Sequence, residues 1–242
     1  MPSVLAYHRP GSLNEAATLL SDPNTRAIGG GTVVVPDARI ARETGVELVD
    51  LQDLGLAEVT VSGDVTSIGA MARLGDVSRD DRLPALLREV ARRELPSALR
   101  NQATFGGTVA LADPDSVLLA GLLAHGATVN LHDTDPVALA DLLAAGVGDR
   151  IVTSVTVETA GIGSVAVTGR TPADVPIVAA VARRSNTGIA LALTGVADVP
   201  VLVDPANPTQ GLNPAGDFRG SAEYRLHVAA VLAARAVSEV SS

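Results

Sequence analysis

Two glycine-rich segments hold the residue types best suited to chemistry: AIGGGTVVVP at 27–36 and RNQATFGGTVALADP at 100–114. Consecutive glycines have no Cβ atoms and tolerate positive φ, so their backbone amides can approach an anionic group such as a pyrophosphate. The hydroxyls of Thr32, Thr104 and Thr108 are further donors for the same phosphates. Together, the two segments predict a clamp that holds one dinucleotide from both sides.

Each glycine segment also has a simpler interpretation, as a tight turn or hairpin without a ligand. Neither segment has the spacing of a Rossmann G-x-G-x-x-G fingerprint, or of a Walker loop that ends in Gly-Lys-Ser/Thr. Judged from these residues alone, the phosphate clamp and the plain turn both stay open.

The elements that must position these segments follow from the apolar patterns. Ser12 and Glu15 have capping-box spacing, which predicts a helix over 12–21. A strand then leads into the first glycine turn, and a second apolar run ends at Pro36. Further helices are predicted over 83–95, 116–124, 137–145 and 221–237, and further strands over 46–51, 57–62, 65–70, 127–132 and 150–157. Apolar runs at 164–168, 176–183 and 188–196 suit a third unit.

Four motifs, taken in order, resemble one family. The first segment resembles the "AGGT-D-L-L-P" turn, and the second the "RN-x-x-T-I-G-G-N/S/T" turn, of the FAD-binding medium subunits of xanthine and carbon monoxide dehydrogenases. Between them, SIGAMARLGDV at 67–77 resembles the family's "IGA" strand and turn. DFRGSAEYRLHVAAVLAARAV at 217–237 resembles its "D-x-R-x-S-A-x-Y-R" helix. Because four ordered motifs cover nearly the whole chain, the chain is identified as a member of this molybdenum hydroxylase family.

The resemblance implies an α+β fold, in which a two-subdomain FAD-binding fold of the PCMH type precedes a small C-terminal domain of antiparallel sheet plus helices. The change to hairpin-like strands near residue 55 suggests where the two subdomains meet. We therefore expect an N-terminal FAD-binding subdomain at 1–55 and a second FAD-binding subdomain at 56–160. A C-terminal domain of the medium-subunit flavoprotein type is expected at 161–242.

By the same resemblance the cofactor is FAD, held non-covalently between the two glycine turns. One side of its pyrophosphate would be wrapped by Gly29, Gly30, Gly31, Thr32, Val33 and Val34. The other side would be closed by Thr104, Gly106, Gly107 and Thr108, with Asp113 in the polar stretch that follows. Arg100 and Asn101, just before the second turn, would either bind phosphate or tie the loop to its neighbours.

Some positions depart from the family pattern. Val33 stands where Asp or Ser is frequent, and Thr108 where Asn is common. Val117 occupies a position that is commonly Asp, which implies that one side-chain contact to FAD is lost. Some members also carry a Lys or an aromatic residue near the flavin in the third unit, and VAVTGR at 165–170 supplies neither. These departures bear on FAD affinity and on the flavin potential.

Composition restricts the function further. A net charge of −9 without any run of Lys or Arg argues against nucleic-acid binding. The chain has no Cys, so it can hold no iron–sulfur cluster and no thioether link to a flavin. Aromatic residues make up only 2% of the chain, which favours aliphatic contacts to any ligand ring. The four histidines lack metal-pair spacing, and we assign no metal and no catalytic residue.

The resemblance implies an oxidoreductase flavoprotein that relays electrons. Iron–sulfur clusters on a small subunit would pass electrons to the FAD, and a large molybdopterin-binding subunit would oxidise the substrate. We expect a hetero-oligomer, with neither nucleic acid nor membrane as partner. The N-terminal residues lack the pattern of a signal peptide, and no apolar run is long enough to span a membrane, which suggests the cytoplasm. Two alternatives are a structural subunit that has lost flavin and a stand-alone FAD oxidoreductase.

Overall fold

The computed structural model describes residues 4–40, 45–169 and 174–242. Its helices are α1 Leu13–Leu20, α2 Val34–Ile40, α3 Leu74–Val77, α4 Ala85–Glu94, α5 Ser97–Arg100, α6 Phe105–Leu111, α7 Val117–Ala124, α8 Leu139–Ala145 and α9 Ala222–Ser241. Its strands are β1 Val4–His8, β2 Thr25–Ile28, β3 Val46–Asp50, β4 Val59–Ser62, β5 Val65–Gly69, β6 Thr128–Leu131, β7 Val137–Ala138, β8 Val152–Glu158, β9 Ile162–Thr168, β10 Val178–Ser185, β11 Gly188–Leu193 and β12 Val201–Val203.

The first sheet is parallel and delivers the first glycine turn. Its order is β1-β3-β2, and both outer strands pair in parallel with β3. Helix α1 makes the crossover between β1 and β2, and it begins where the Oγ of Ser12 accepts the amide of Glu15 at 3.2 Å. The Glu15 carboxylate accepts the amide of Gly11 rather than that of the capping serine, at 2.8 Å. The glycine turn follows the carboxyl end of β2 directly.

The second sheet is antiparallel, in the order β4-β5-β8-β6-β7. Helices α3 to α8 are interleaved with its strands, and the main hydrophobic core lies among them. Helix α7 is central to this core, because all eight of its residues are buried. It packs against α4 on one side and against β10 and β11 on the other.

The third sheet, in the order β12-β11-β10-β9, is antiparallel and buried on both faces. Successive side chains of a strand point to opposite faces. In β10, Val178 and Ala180 pack with α9, whereas Ala179 and Val181 belong to the main core around α7. The C-terminal sheet therefore joins α9 to the rest of the protein.

The predicted α+β class is confirmed, and each sheet lies within one of the three expected ranges. The exact domain boundaries stay a prediction. Three local expectations need correction. The run predicted to end at Pro36 continues as helix α2, because proline is tolerated in a first helical turn, where its missing amide would have no partner. The second glycine segment is itself the start of helix α6, and strand β1 was not predicted.

In the described part of the chain, no helix combines the length and the apolar character that crossing a bilayer requires.

One buried histidine lies in the second unit, where it links the end of α7 to the end of β8. The side chain of His125, at the end of α7, is 3% exposed, and its Nδ1 donates to the carbonyl oxygen of Glu158 at 2.9 Å. Its Nε2 has no hydrogen-bond partner among the residues that the structure describes. Burial, with the nearby charge of Arg183, lowers the pKa of His125 to about 4, so the ring is neutral in the native protein.

Candidate functional site

A cavity of approximately 440 Å³ lies between the first glycine turn and the second unit. All eleven residues predicted to bind the cofactor line it. They come from the turn after β2, from helix α6 and its N-cap, and from the polar stretch after α6. The structure therefore brings the predicted residues together, and their contacts with FAD stay a prediction.

The two glycine turns touch each other at the edge of this cavity. A Cβ atom at Gly30 would lie 2.1 Å from the carbonyl oxygen of Gln102, and one at Gly29 would lie 2.6 Å from Oγ1 of Thr104. Real Cβ atoms do not approach other atoms so closely, so backbone excludes any side chain at Gly30, whereas a side chain at Gly29 would have to displace the Thr104 hydroxyl. This packing constraint is separate from any contact with a ligand.

The first turn offers unused hydrogen-bond donors. Among the described residues, the backbone amides of Gly29, Gly30, Gly31, Thr32, Val33 and Val34 have no hydrogen-bond partner. Gly31 has a φ of 70°, and helix α2 begins three residues later. Successive free amides in a turn before a helix form a site for an anion. The first turn is thus suited to hold a pyrophosphate.

The second turn is different, because its amides are already used. Phe105 and Gly106 donate to the carbonyl oxygens of Ala72 and Ala70 at 2.9 and 2.8 Å. Gly107 donates to Oγ1 of Thr104 at 3.3 Å, which caps helix α6. The expectation that both turns offer free backbone amides to a pyrophosphate is therefore wrong for residues 105–108. This turn contributes a surface without side chains, at Gly107, and the nearby hydroxyls.

The threonine hydroxyls of the two turns also differ in whether their protons are already used in hydrogen bonds. The Oγ1 of Thr108 donates to the carbonyl oxygen of Thr104 at 3.3 Å, so its proton is used within α6. Thr104 accepts a hydrogen bond but keeps its own proton to donate. Thr32 has no hydrogen bond to any described residue. Thr32 and Thr104 are therefore the hydroxyls free to donate to a phosphate.

Sequence reasoning missed several charged residues of the wall. Arg26 and Arg150 line the cavity, and their guanidinium groups donate to carbonyl oxygens with no carboxylate partner among the described residues. Their charge is available to an anionic ligand. Each arginine stands beside a predicted strand, but nothing in its sequence context distinguishes it from a surface residue.

Glu94 is a further wall residue that no motif indicated. Its carboxylate accepts the amide of Leu118 at 2.8 Å and the hydroxyl of Ser116 at 2.7 Å, and so it covers the start of helix α7. Burial raises the pKa of Glu94 to about 7, against the effect of these hydrogen bonds, and the charge of Asp113 acts in the same direction as burial.

The rest of the wall is aliphatic. Its apolar side chains include Leu95, Leu99, Leu111, Ile151 and Val175, and no aromatic residue is among the lining residues described. Leu99, Leu111 and Val175 are exposed at this wall, although they are apolar. A flavin or adenine ring here would meet aliphatic groups, as the composition suggested.

Other positions weighed on the sequence lie elsewhere. Arg100 donates to the carbonyl oxygens of Arg92 and Leu95, so it ties the loop to the end of α4. Val117 is buried in the main core and does not line the cavity. Arg170 lies outside the described residues. From the third unit, Val175 is the residue that reaches the wall.

These observations fit an FAD. The free amides of the first turn match a pyrophosphate, two unpaired guanidinium groups favour an anionic ligand, and the aliphatic wall suits the rings. The volume is within the range of ligand pockets. The fold and the cavity thus define a dinucleotide-binding protein.

The comparisons with known proteins identify the family. The family described as FAD binding domain in molybdopterin dehydrogenase matches residues 3–157. This match covers more than half of the chain, and the chain therefore belongs to that family. FAD as the cofactor and an oxidoreductase flavoprotein of the xanthine and carbon monoxide dehydrogenase type are confirmed.

Relatives extend the likeness to the whole chain. The uncharacterized protein YgfM of Escherichia coli K12 is 29% identical over 249 residues, covering 94% of this chain and 93% of the relative. The carbon monoxide dehydrogenase medium chain of Afipia carboxidovorans is 32% identical over 120 residues, covering 47% of this chain and 42% of that one. The crystal structure of cyanide-inactivated Cu,Mo-CO dehydrogenase contains a similar chain, with a TM-score of 0.89, 26% identity, and coverage of 99% and 98%.

A substitution of glycine by alanine should have different effects on stability in the two turns. In Gly107→Ala the new Cβ would meet only Oγ1 of Thr104, at 2.8 Å, and would stand at the cavity surface. We expect FAD affinity to fall about tenfold and the unfolding temperature to fall less than in Gly30→Ala, because the Thr104 hydroxyl can shift whereas backbone cannot. In Gly30→Ala the clash with the Gln102 backbone should lower the unfolding temperature as well. Flavin fluorescence and calorimetry measure the two effects.

Gly11→Ala is the matched control, because its Cβ would have 3.9 Å of clearance. It should bind FAD and unfold like the wild type. Equal loss of thermal stability in Gly107→Ala and Gly30→Ala would contradict the distinction between the turns.

Glu94 and His125 predict opposite effects of pH on stability. For His125 the folded pKa lies below the ordinary value of 6.5, so its contribution is complete above pH 6.5 and is lost toward pH 4. For Glu94 the folded pKa lies above the ordinary value of 4.5, so its contribution is complete below pH 4.5 and is lost as pH rises through 7. Between pH 4.5 and 6.5 the two contributions oppose each other.

Single variants should separate the contributions of Glu94 and His125 to stability. In Glu94→Gln the free energy of unfolding should rise by about 2 kcal/mol from pH 4.5 to 6.5 relative to the wild type, and in His125→Asn it should fall by about as much. Urea unfolding of the full chain at several pH values measures this. His227→Asn, at an exposed position of α9, is the control and should follow the wild type. Parallel profiles for all four proteins would refute the assignment.

Proposed function

We propose that this chain is the electron-relaying FAD subunit of a hetero-oligomeric molybdenum hydroxylase. The observation that carries the proposal is the meeting of both family glycine turns around one cavity with free amides. The family match to molybdopterin dehydrogenases and the similarity to a carbon monoxide dehydrogenase medium chain support it.

The residues of the chain bind and orient the cofactor. The amides of 29–34 hold the pyrophosphate from one side, with Thr32 and Thr104 as hydroxyl donors. Gly107 lets the ligand approach helix α6 closely. The aliphatic side chains exclude water from the rings, and when bound the flavin accepts electrons and passes them on.

The chain needs partners for the remaining chemistry. Its 242 residues include no Cys, so none of them can bind an iron–sulfur cluster. We propose a small iron–sulfur subunit that delivers electrons and a large molybdopterin-binding subunit that oxidises the substrate. The free anion-binding amides weigh against a purely structural subunit without flavin.

The identity of the cofactor has a direct test. Heating the purified native complex should release FAD in near-stoichiometric amount, because no Cys is available for a thioether link to the flavin. Chromatography of the supernatant identifies the flavin. Recovery of FMN, or of no flavin from an intact complex, would refute the proposal.

The assembly has a separate test. Because electron transfer needs clusters held close to the flavin, we expect a stable complex rather than a transient one. Affinity purification of the tagged chain from its native host should recover both partners in fixed proportion, with iron and molybdenum by metal assay. The chain recovered alone, without partner or metal, would contradict the assembly while leaving FAD binding intact.

A further inference from the structure

The segment 113–116 joins helix α6 to helix α7 and forms one wall of the cavity. Asp113, Asp115 and Ser116 all line the cavity. The segment is folded on itself, since the amides of Asp115 and Ser116 donate to Oδ1 and the carbonyl oxygen of Asp113 at 2.8 and 3.0 Å. These hydrogen bonds fix the segment internally, and its contacts with other elements therefore set the position of the wall.

Two hydrogen bonds hold this wall from outside the matched domain. Nη2 of Arg219 donates to Oδ2 of Asp115 at 2.6 Å, and the amide of Gly195 donates to the carbonyl oxygen of Pro114 at 3.0 Å. The side chains of Arg219 and Asp115 are only 27% and 14% exposed, so water screens the ion pair weakly. Both donors lie beyond residue 157, where the family match ends.

The buried Arg225 arranges both donors. Its Nη1 donates to the carbonyl oxygens of Gly195 and Ile177 at 2.9 and 3.1 Å. Its Nη2 pairs with Oδ1 of Asp217 at 2.8 Å, and Oδ2 of Asp217 accepts Nε of Arg219 at 3.1 Å. The Arg225 guanidinium holds the pKa of Asp217 well below its usual range, so this carboxylate stays ionised. Arg219 is thus aimed at the wall by an internal framework.

Arg219 also balances charge at the wall. Its guanidinium bridges Asp217 and Asp115, and Asp113 lies two residues from Asp115 in the same wall. Without Arg219, Asp115 would keep an unpaired negative charge facing a cofactor with an anionic pyrophosphate. Such a loss would free the wall and repel the ligand at the same time.

We infer that Arg219 is a positioning residue of the FAD site, which fixes and neutralises the wall at 113–116 through Asp115. The inference rests on the proposed flavin-binding function and extends the site into the C-terminal unit. It also gives the D-x-R-x-S-A-x-Y-R motif a physical role. Asp217 and Arg225 orient Arg219, and Ser221 begins helix α9 by accepting the amide of Tyr224 at 3.2 Å.

A double-mutant cycle on the full chain tests the inference. We expect Arg219→Ala to raise the dissociation constant of FAD about tenfold, because a shielded ion pair is lost and a charge is left unpaired. Adding Asp115→Asn to this variant should restore part of the affinity, since the unpaired charge is then gone. Arg219→Lys should bind with intermediate affinity, because an ammonium group cannot bridge two carboxylates as a guanidinium does.

Flavin fluorescence titration gives the affinities, and far-ultraviolet circular dichroism checks the fold. Arg79→Ala is the control, because it removes an exposed ion pair to Asp76 and should leave FAD affinity unchanged. Wild-type affinity in Arg219→Ala, no recovery in the double variant, or a loss that occurs only with unfolding would each overturn the inference. The flavin content of the wild type tests the proposed function, whereas the ratios between variants test Arg219.

Discussion

The close approach of two stretches of backbone, Gly30 and Gln102, determines the rest of this structure. The carbonyl oxygen of Gln102 occupies the space that any side chain at residue 30 would need. Through this contact the parallel sheet is seated on the second unit, and a small apolar cluster that includes Val49, Met71 and Ile151 supports it. The cavity exists because the two units meet at glycine and diverge beyond it. The shape of the cavity and the packing of the two units therefore depend on the same few residues, which explains why a glycine turn is needed even where no ligand is touched.

The two glycine turns have different roles. The first keeps its amides free, and the second uses the corresponding amides to attach helix α6 to the segment around Ala70 and Ala72. One side of the cavity is thus prepared for an anion, and the other is a rigid platform. The wall between them carries carboxylates, at Glu94 and in segment 113–116. The carboxylate of Glu94 accepts a hydrogen bond from the start of α7, and Arg219 neutralises the carboxylate of Asp115. Negative charge near an anionic cofactor is tolerated because hydrogen bonds hold Glu94 and an ion pair holds Asp115.

Much of this organisation was predictable from the sequence, and the remainder was not for identifiable reasons. Capping at Ser12 and the apolar spacing of α4, α7 and α9 are local signals, and they predicted those helices. The glycine motifs predicted which residues would meet at the cavity. The use of the second turn's amides depends on its distance from Ala70, and such long-range pairing leaves no local pattern. For the same reason Glu94 and Arg150 could not be assigned to the site, since each resembles an ordinary surface charge until the chain is folded. Arg219 belongs to a motif that the sequence analysis identified, but its pairing with Asp115 is long-range and was not predicted.

Helix α7 has a consequence for biosynthesis. Its eight residues are buried on every side, and part of the surface that covers it comes from β10 and β11, which lie more than fifty residues later in the chain. A nascent chain that has emerged only through β8 must leave an apolar face of α7 in water until the C-terminal strands leave the ribosome. During that interval the chain is exposed to aggregation and is a natural client for chaperones. Folding of the FAD-binding part is thus completed only after the C-terminal sheet has been synthesised. Until then the apolar face of α7 is not protected from water.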